Sequence, residues 1–274
     1  MTRTWLITGC SAGFGEALAS AALAAGDNVV ATARRADTLA NLVGTAPQRA
    51  LAVSLDVTDQ QQIDAAVTAA TERFGGVDVL VNNAGLASVG AVEELEGPAL
   101  QQLMDVMFFA PVNLVQAVLP GMRQRRRGAI VQISSMGGQV SMPGFGAYCA
   151  AKFALEGISD ALAAEVAPYG ISVLIVEPGA FATSFGSTRS QMSPDSGHYE
   201  DTVGPQRRAV ASMDGSQPGD PVKAAAAILE ALDAAHPPLR LALGADAVEH
   251  IGSTLDARRA ELDEWAVLSR STSR

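Results

Sequence analysis

"TWLITGCSAGFGEALASAALAAG", residues 4 to 26, decides how the rest of the chain is read. Thr4 to Thr8 form a short apolar run, which Gly9, Gly13 and Gly15 interrupt. Apolar residues then recur at helical spacing until Gly26, placed as a C-cap. A strand that passes through a glycine-rich turn into a helix is the opening of a βαβ unit. Glycines there let the main chain approach a pyrophosphate, which the helix N-terminus holds with its free N–H groups and its dipole. By itself a glycine-rich turn discriminates weakly.

The same letters admit a second chemistry. Gly9-Cys10-Ser11-Ala12-Gly13 fits the G-x-S-x-G nucleophile elbow of a serine hydrolase. That reading needs Ser11 as nucleophile, an acid such as Asp246 and a histidine such as His250. His250, however, follows Asp246 by four residues on an expected helix, and an elbow ordinarily follows several strands rather than opening the sheet.

Working outward, Val-, Ile- and Leu-rich runs recur at "NVVATAR", "RALAVSLDV", "VDVLVNNAG", "GAIVQISS", "ISVLIVEPG" and "LRLALG", with helical segments between them. Strands apolar throughout that alternate with helices imply a parallel sheet covered on both faces: a doubly wound (Rossmann) α/β fold, mainly parallel and seven-stranded. The alternation breaks once. From about 184 to 220 the chain is polar and rich in Gly, Pro, Ser and Met, too long for an ordinary connection, and is expected to be a substrate lid. The tail, about 245–274, reads as a closing helix and a loose end. No internal repeat or second domain is evident, so 1–274 is read as a single domain.

Composition narrows the partners. The 274 residues are 48% hydrophobic and 18% charged, enough to bury a full core. A net charge of -10 argues against nucleic acid or an anionic membrane surface. The local exception, Arg123, Arg125, Arg126 and Arg127, is expected to be a solvated helix C-terminus answering the macrodipole. The sequence has no run of about 18 apolar residues and no signal-peptide pattern at "MTRTWLITG", so a cytoplasmic protein is expected. Cys10 and Cys149 are expected to be free thiols, and no structural metal is expected.

"AYCAAKFALEG", residues 147 to 157, sets Tyr148 and Lys152 four apart, on one face of a helix and about one turn from each other. An ammonium there favours a phenolate. Together with "TGCSAGFG", "NNAG" at Asn82 to Gly85 and "ISS" ending at Ser135, this pair resembles the short-chain dehydrogenase/reductase family over nearly the whole chain. "GAYCAAKFALEG" and the long segment after "PGAFAT" are most similar to the branch containing steroid and retinol dehydrogenases. The resemblance implies Ser135 as the residue that orients a substrate carbonyl, Ser134 as its structural neighbour, Tyr148 as acid/base and Lys152 as its electrostatic partner. Tyrosine ordinarily titrates near pH 10, so a depression of a few units is expected, supplied by Lys152 and an oxidised nicotinamide.

For the cofactor, the resemblance assigns Gly9, Ser11, Gly13, Phe14 and Gly15 to the pyrophosphate turn and Asp56 and Val57 to the adenine. It assigns Asn83, Ala84 and Gly85 to its ribose, and Pro178, Gly179 and Thr183, with Tyr148 and Lys152, to the nicotinamide side. Asp56 has a competing reading as a helix cap. The second strand ends in Arg34 and Arg35 where an NAD enzyme has an acid. Arginine pairs with a 2′-phosphate and leaves no acid to repel it, so NADP(H) is favoured and NAD(H) is the alternative.

The pattern departs from the family at Met107, where "MDVMFFAPVNL" has no asparagine. In the family that asparagine bends the helix, and its carbonyl holds a water linking the lysine to solvent. Pro111, four residues on, cannot donate to the Met107 carbonyl, so a kink is expected to survive. The competing reading makes Met107 core filler. Gln132, where many relatives have asparagine, gets no catalytic meaning.

The expectation is an NADP(H)-dependent oxidoreductase that interconverts a hydrophobic ketone or aldehyde and its alcohol, as a homodimer or homotetramer with no nucleic-acid or membrane partner. Phe181, Phe185, Met192, Met142 and Phe145 are expected around the substrate. The alternative is a nucleotide-binding regulator of the same fold with slow chemistry.

Overall fold

Seven parallel strands carry the fold in a computed structural model that describes residues 2–183, 190–212 and 215–273. They are β1 (Thr4–Ile7), β2 (Asn28–Ala33), β3 (Ala50–Ser54), β4 (Val79–Asn82), β6 (Gly128–Ile133), β7 (Ile171–Pro178) and β9 (Arg240–Leu243), in the order β3-β2-β1-β4-β6-β7-β9. Each pairing is parallel. The direction of winding reverses between β1 and β4, which opens a crevice at the carboxyl ends of the strands.

Both faces of the sheet are covered, which is why the strands are apolar throughout. On one face Trp5 and Ile7 of β1 pack with Leu18, Ala19 and Ala22 of α1 (Gly13–Ala24) and Ile228 of α8 (Pro221–Asp233). On the other, Leu6 packs with Ile63 of α3 (Gln60–Phe74), with Leu114 and Val118 of α5 (Ala110–Arg125), and with Leu162 of α6 (Gly146–Val166). Full burial of one such side chain contributes about 1.5–3 kcal/mol. The Trp5 indole N–H finds the Asp27 carboxylate at 2.8 Å, so its burial leaves no donor unpaired. Helix α1 ends where expected, at Gly26 (φ 91°), whose N–H bonds Leu23 O while Asp27 N–H bonds Ala22 O.

Three features differ from the sequence reading. The arginine run ends α5 with Arg123, Arg126 and Arg127 exposed, as expected, but three of its members are also tied down. Arg125 donates to Val77 O at 2.6 Å, Arg126 donates to Pro168 O at 2.8 Å, and Arg127 pairs with Asp78 at 3.4 Å. The expected lid contains ordered elements. β8 (Ser190–Met192) pairs in parallel with β5 (Ala87–Val89), and α7 (Gly204–Ala211) brings Arg207 to Glu94 at 2.8 Å. Finally, α4 (Gly97–Met104), a π-helical turn (Asp105–Phe109) and α5 form one helical run, Gly97–Arg125. Its length and mean hydropathy of 1.5 would suit a membrane span, yet Leu103, Met107, Leu114, Val118 and Met122 are buried in the core. The tail is a single helix, α9 (Ala245–Arg270), of which only Ala247 and Ile251 are buried. The remaining element, α2, spans Ala40–Gly44.

Candidate active site

The candidate catalytic side chains come from two adjacent pieces of the sheet's carboxyl edge. Ser135 follows β6 and opens a 3-10 turn, where its Oγ accepts Gly137 N–H at 3.0 Å. Tyr148 sits in the first turn of α6, which packs beside that turn, and its phenol hydrogen-bonds the Ser135 side chain. Lys152, one turn further on, is buried and donates to Ile133 O at 2.7 Å. Its Nζ lies 5.8 Å from the Tyr148 ring centroid. With the glycine turn and Pro178 to Thr183, these three line a cavity of about 180 Å³.

The electrostatics of this cavity describe the protein without its nicotinamide. Burial pushes the Tyr148 phenol up to about 12, against a smaller lowering by the Ser135 hydrogen bond, instead of depressing it. Burial pushes Lys152 down to about 8, opposed by Glu156. Desolvation dominates both groups, and Lys152 spends a hydrogen bond on Ile133 O. In this state the phenol keeps its proton and is set to donate it.

A second cavity, of about 650 Å³, adjoins the first at Gly85 and is lined by Gly9, Ser11, Arg34, Arg35, Asp56, Val57 and Ala84. The residues fit a dinucleotide. Helix α1 begins after Ala12, which offers no side-chain cap, so its first N–H groups are left for an anion. Gly15 is needed for the turn to close: a β-carbon there would come within 2.5 Å of Gly9 O and 2.6 Å of Asn83 Nδ2.

The short chain dehydrogenase family matches residues 3–194. The chain belongs to that family. Among relatives of this short-chain dehydrogenase, oxidoreductase BOA17 of Botryotinia fuckeliana is 41% identical over 270 residues, covering 98% of each chain. Human retinol dehydrogenase 8 is 39% identical, over 87% of this chain and 80% of its own length, in keeping with the retinol dehydrogenase-like branch. A short-chain dehydrogenase of Streptomyces avermitilis superposes with a TM-score of 0.94 at 53% identity, covering 99% of this chain and 98% of its own. A Burkholderia cenocepacia member solved with NADP has a TM-score of 0.73 at 25% identity over 100% and 98% of the two chains. A Burkholderia phymatum member solved with NAD, 23% identical over 96% and 95%, shares the fold with a TM-score of 0.83.

The remaining site residues of this short-chain dehydrogenase fall as follows. Gly13, Phe14, Asn83, Pro178, Gly179 and Thr183 line the catalytic cavity, whereas Gly15 lies beneath the turn. Asn83 is a brace: its Nδ2 donates to Thr8 O at 2.7 Å and Gly9 O at 3.2 Å. The helix-cap reading of Asp56 fails, because Asp59 caps α3 by accepting Gln61 N–H and Gln62 N–H. The Asp56 carboxylate instead accepts Thr58 N–H at 3.0 Å. An acid does stand beside the two arginines. Asp37, two residues past Arg35, pairs with it at 3.8 Å, and both side chains are exposed.

Of the expected apolar lining, Phe181 is in the cavity wall and packs on Phe14 with centroids 5.0 Å apart. Met142 and Phe145 lie outside that wall, and Met192 is 43% exposed. Phe185 lies outside the described residues. The Met107 departure meets a π-helical turn at Asp105–Phe109, so the helix does change geometry just before Pro111. The Met107 side chain fills the core beside Ala147 and Ala151, as the competing reading has it. Gln132 accepts from Asn82 Nδ2 at 2.9 Å, a structural tie between β4 and β6. The hydrolase constellation does not assemble. The Asp246 carboxylate accepts Ala180 N–H at 2.7 Å, and the His250 ring contacts Asp246 O.

Sequence reasoning missed Thr8, Gln217 and the tie from Asp246 to Ala180. Thr8 Oγ1 accepts both Asn83 N–H and Ala84 N–H, and Gln217, in the cavity wall, has a buried Oε1 with no hydrogen-bond partner. None announces itself locally, since each acts across at least 30 residues or lies in the polar segment.

Proposed function

We propose that this chain is an NADP(H)-dependent carbonyl reductase or alcohol dehydrogenase acting on a hydrophobic ketone, aldehyde or alcohol. The observation that carries the reading is the convergence of Ser135, Tyr148 and Lys152 on one cavity with the open N-terminus of α1. The bound dinucleotide supplies or accepts the hydride.

The protein's own part is positioning and proton transfer. The Ser135 hydroxyl, already bonded to the phenol, orients a carbonyl oxygen beside Tyr148. Tyr148 holds its proton and gives it to that oxygen as an alcohol forms; in the reverse direction the phenolate takes it back. Lys152 lowers the cost of the phenolate. Ile133, Phe14 and Phe181 keep the wall apolar, in favour of a hydrophobic substrate and against bulk water.

NADP(H) is preferred in this reading because Arg34 and Arg35 stand at the ribose end of the larger cavity. Asp37 tempers that preference by holding Arg35, and NAD(H) is the second cofactor to test. The proposal extends to a cytoplasmic homodimer or homotetramer. The deciding experiment follows nicotinamide absorbance over a panel of ketones, aldehydes and alcohols with both cofactors. Turnover should require Tyr148, vanish in Tyr148→Phe and leave cofactor binding intact; cofactor binding with no turnover on any substrate would favour the regulator.

A further inference from the structure

Behind the wall that carries Ser135 and Lys152 lies a charged cluster that the reaction does not use. Glu156, one turn past Lys152 on α6, and Glu177, next to last in β7, have side chains 5% and 3% exposed. They share two donors. Gln139 Nε2 donates to Glu156 Oε2 at 3.2 Å and to Glu177 Oε1 at 3.1 Å; Arg240 Nε lies 3.1 Å and 3.4 Å from the same two oxygens. A second guanidinium nitrogen of Arg240 donates to both oxygens of Asp160 at 2.7 Å. Glu156 Oε1 and Ser134 Oγ have no hydrogen-bond partner, and both border the space left by Gly138. A β-carbon on Gly138 would approach them to 2.9 Å and 2.7 Å.

Charge counting makes this arrangement specific. Arg240 is one cation shared among three carboxylates, Glu156, Glu177 and the half-exposed Asp160, so the two buried carboxylates lack a full counter-charge of their own. Two carboxyls held so close do not both ionise without penalty. Lys152, one turn before Glu156 on the same helix face, feels the Glu156 charge.

We propose that Glu156 and Glu177 form a one-proton carboxyl pair whose charge keeps Lys152 in its ammonium form, making both of them positioning residues for the reaction. The proposal rests on the reading of Lys152 as the electrostatic partner of Tyr148. The groups that face the pair are Lys152 and Asp160 from α6, Arg240 from β9 and the neutral Gln139 from the turn after Ser135. Burial, and then Glu156, pushes Glu177 up to about 7, while burial pushes Lys152 down to about 8. As pH rises through neutrality Glu177 gives up its proton, and the added negative charge arrives just as Lys152 would start to lose its own. The pair thus offsets the desolvation that Lys152 suffers.

Lys152 and Lys223 are the two lysines of the chain, which makes the test direct. Protein labelled with 13C at the lysine ε-carbon gives two signals, assigned by Lys223→Arg and followed through a pH titration. In Glu177→Gln, which copies the protonated acid in shape, Lys152 should deprotonate at a pH lower than in the wild type by at least about half a unit. Exposed Lys223 should not move. Glu156→Gln removes the charge nearer to Lys152 and serves as the second variant if Glu177→Gln fails to fold. Urea unfolding adds a readout free of lysine: wild-type stability should decline as pH rises from about 4.5 to about 7, and that decline should be absent in Glu177→Gln. An unmoved Lys152 titration in a folded variant overturns the proposal. Turnover with an unmoved Lys152 sinks this inference alone, whereas a moved Lys152 without turnover on any substrate sinks the functional reading alone.

Discussion

The Asp246 carboxylate accepts the Ala180 N–H at 2.7 Å, which fastens the first turn of α9 to the segment lining the cavity of Ser135, Tyr148 and Lys152. Gly179 N–H bonds Leu243 O at 2.9 Å beside it, and Ala182 N–H bonds Gly219 O at 2.9 Å, so three chain segments fix one turn. Asp246→Ala leaves the Ala180 N–H without its acceptor, a loss of about 1–3 kcal/mol. Cofactor affinity should fall roughly 5- to 100-fold in a fluorescence titration, while Asp246→Asn, which keeps an acceptor, should lose much less. Equal affinity in all three proteins would detach α9 from the cofactor.

Ser135 and Tyr148 already share a hydrogen bond, so removing the hydroxyl removes both a carbonyl partner and a brace for the phenol. Ser135→Ala should reduce kcat by about 10²- to 10³-fold, the usual loss for one preorganised donor, with little change in the dissociation constant of the cofactor. Single-turnover kinetics at saturating cofactor separate the two effects.

Lys152 trades stability for chemistry. Its folded-state value, about 8, lies below its ordinary 10.5, so the folded state binds fewer protons than the unfolded one between those pH values. The cost is fully present below pH 8 and disappears as pH rises through 10.5. Lys152→Met should therefore be inactive yet more stable at pH 7, by up to roughly 3 kcal/mol less the lost bond to Ile133 O. Chemical denaturation at pH 7 and pH 10 measures this: the advantage of the variant should shrink at the higher pH.

Arg34 and Arg35 line the larger cavity, and exposed Asp37 pairs with Arg35. Asp37→Asn should free Arg35 and strengthen NADP(H) binding a few-fold, and Arg34→Ala should weaken it by about 10-fold or more, with NAD(H) nearly unaffected by either. Titrations at two salt concentrations should show the NADP(H) differences shrinking as salt rises. A loss for both cofactors alike would show that Arg34 serves the fold instead.

What could be read from the letters was whatever depends on neighbours in sequence. The seven strands were legible because burial on both faces makes each an unbroken apolar run, and α1 was bracketed by Gly13 and Gly26. Tyr148 and Lys152 were legible because helical spacing places them together. The β5–β8 pair was not, since three-residue strands joined across a hundred positions carry no periodicity of their own. Nor was the Arg240 cluster, whose members come from four separate elements. The rise of the Tyr148 phenol in the protein without its nicotinamide was not legible, because spacing reveals a neighbouring charge but not the desolvation that opposes it.

The reversal of winding between β1 and β4 also governs how the molecule is made. Residues 4–82 leave the ribosome as a half-sheet, and Val79–Asn82 then has an unpaired edge until β6 arrives some fifty residues later. Because every strand pairing joins distant stretches of chain, collapse should come early and the nucleotide cleft late. A chaperone that shields that edge during synthesis, or a dinucleotide that captures the finished cleft, would then decide how much nascent chain is rescued from aggregation.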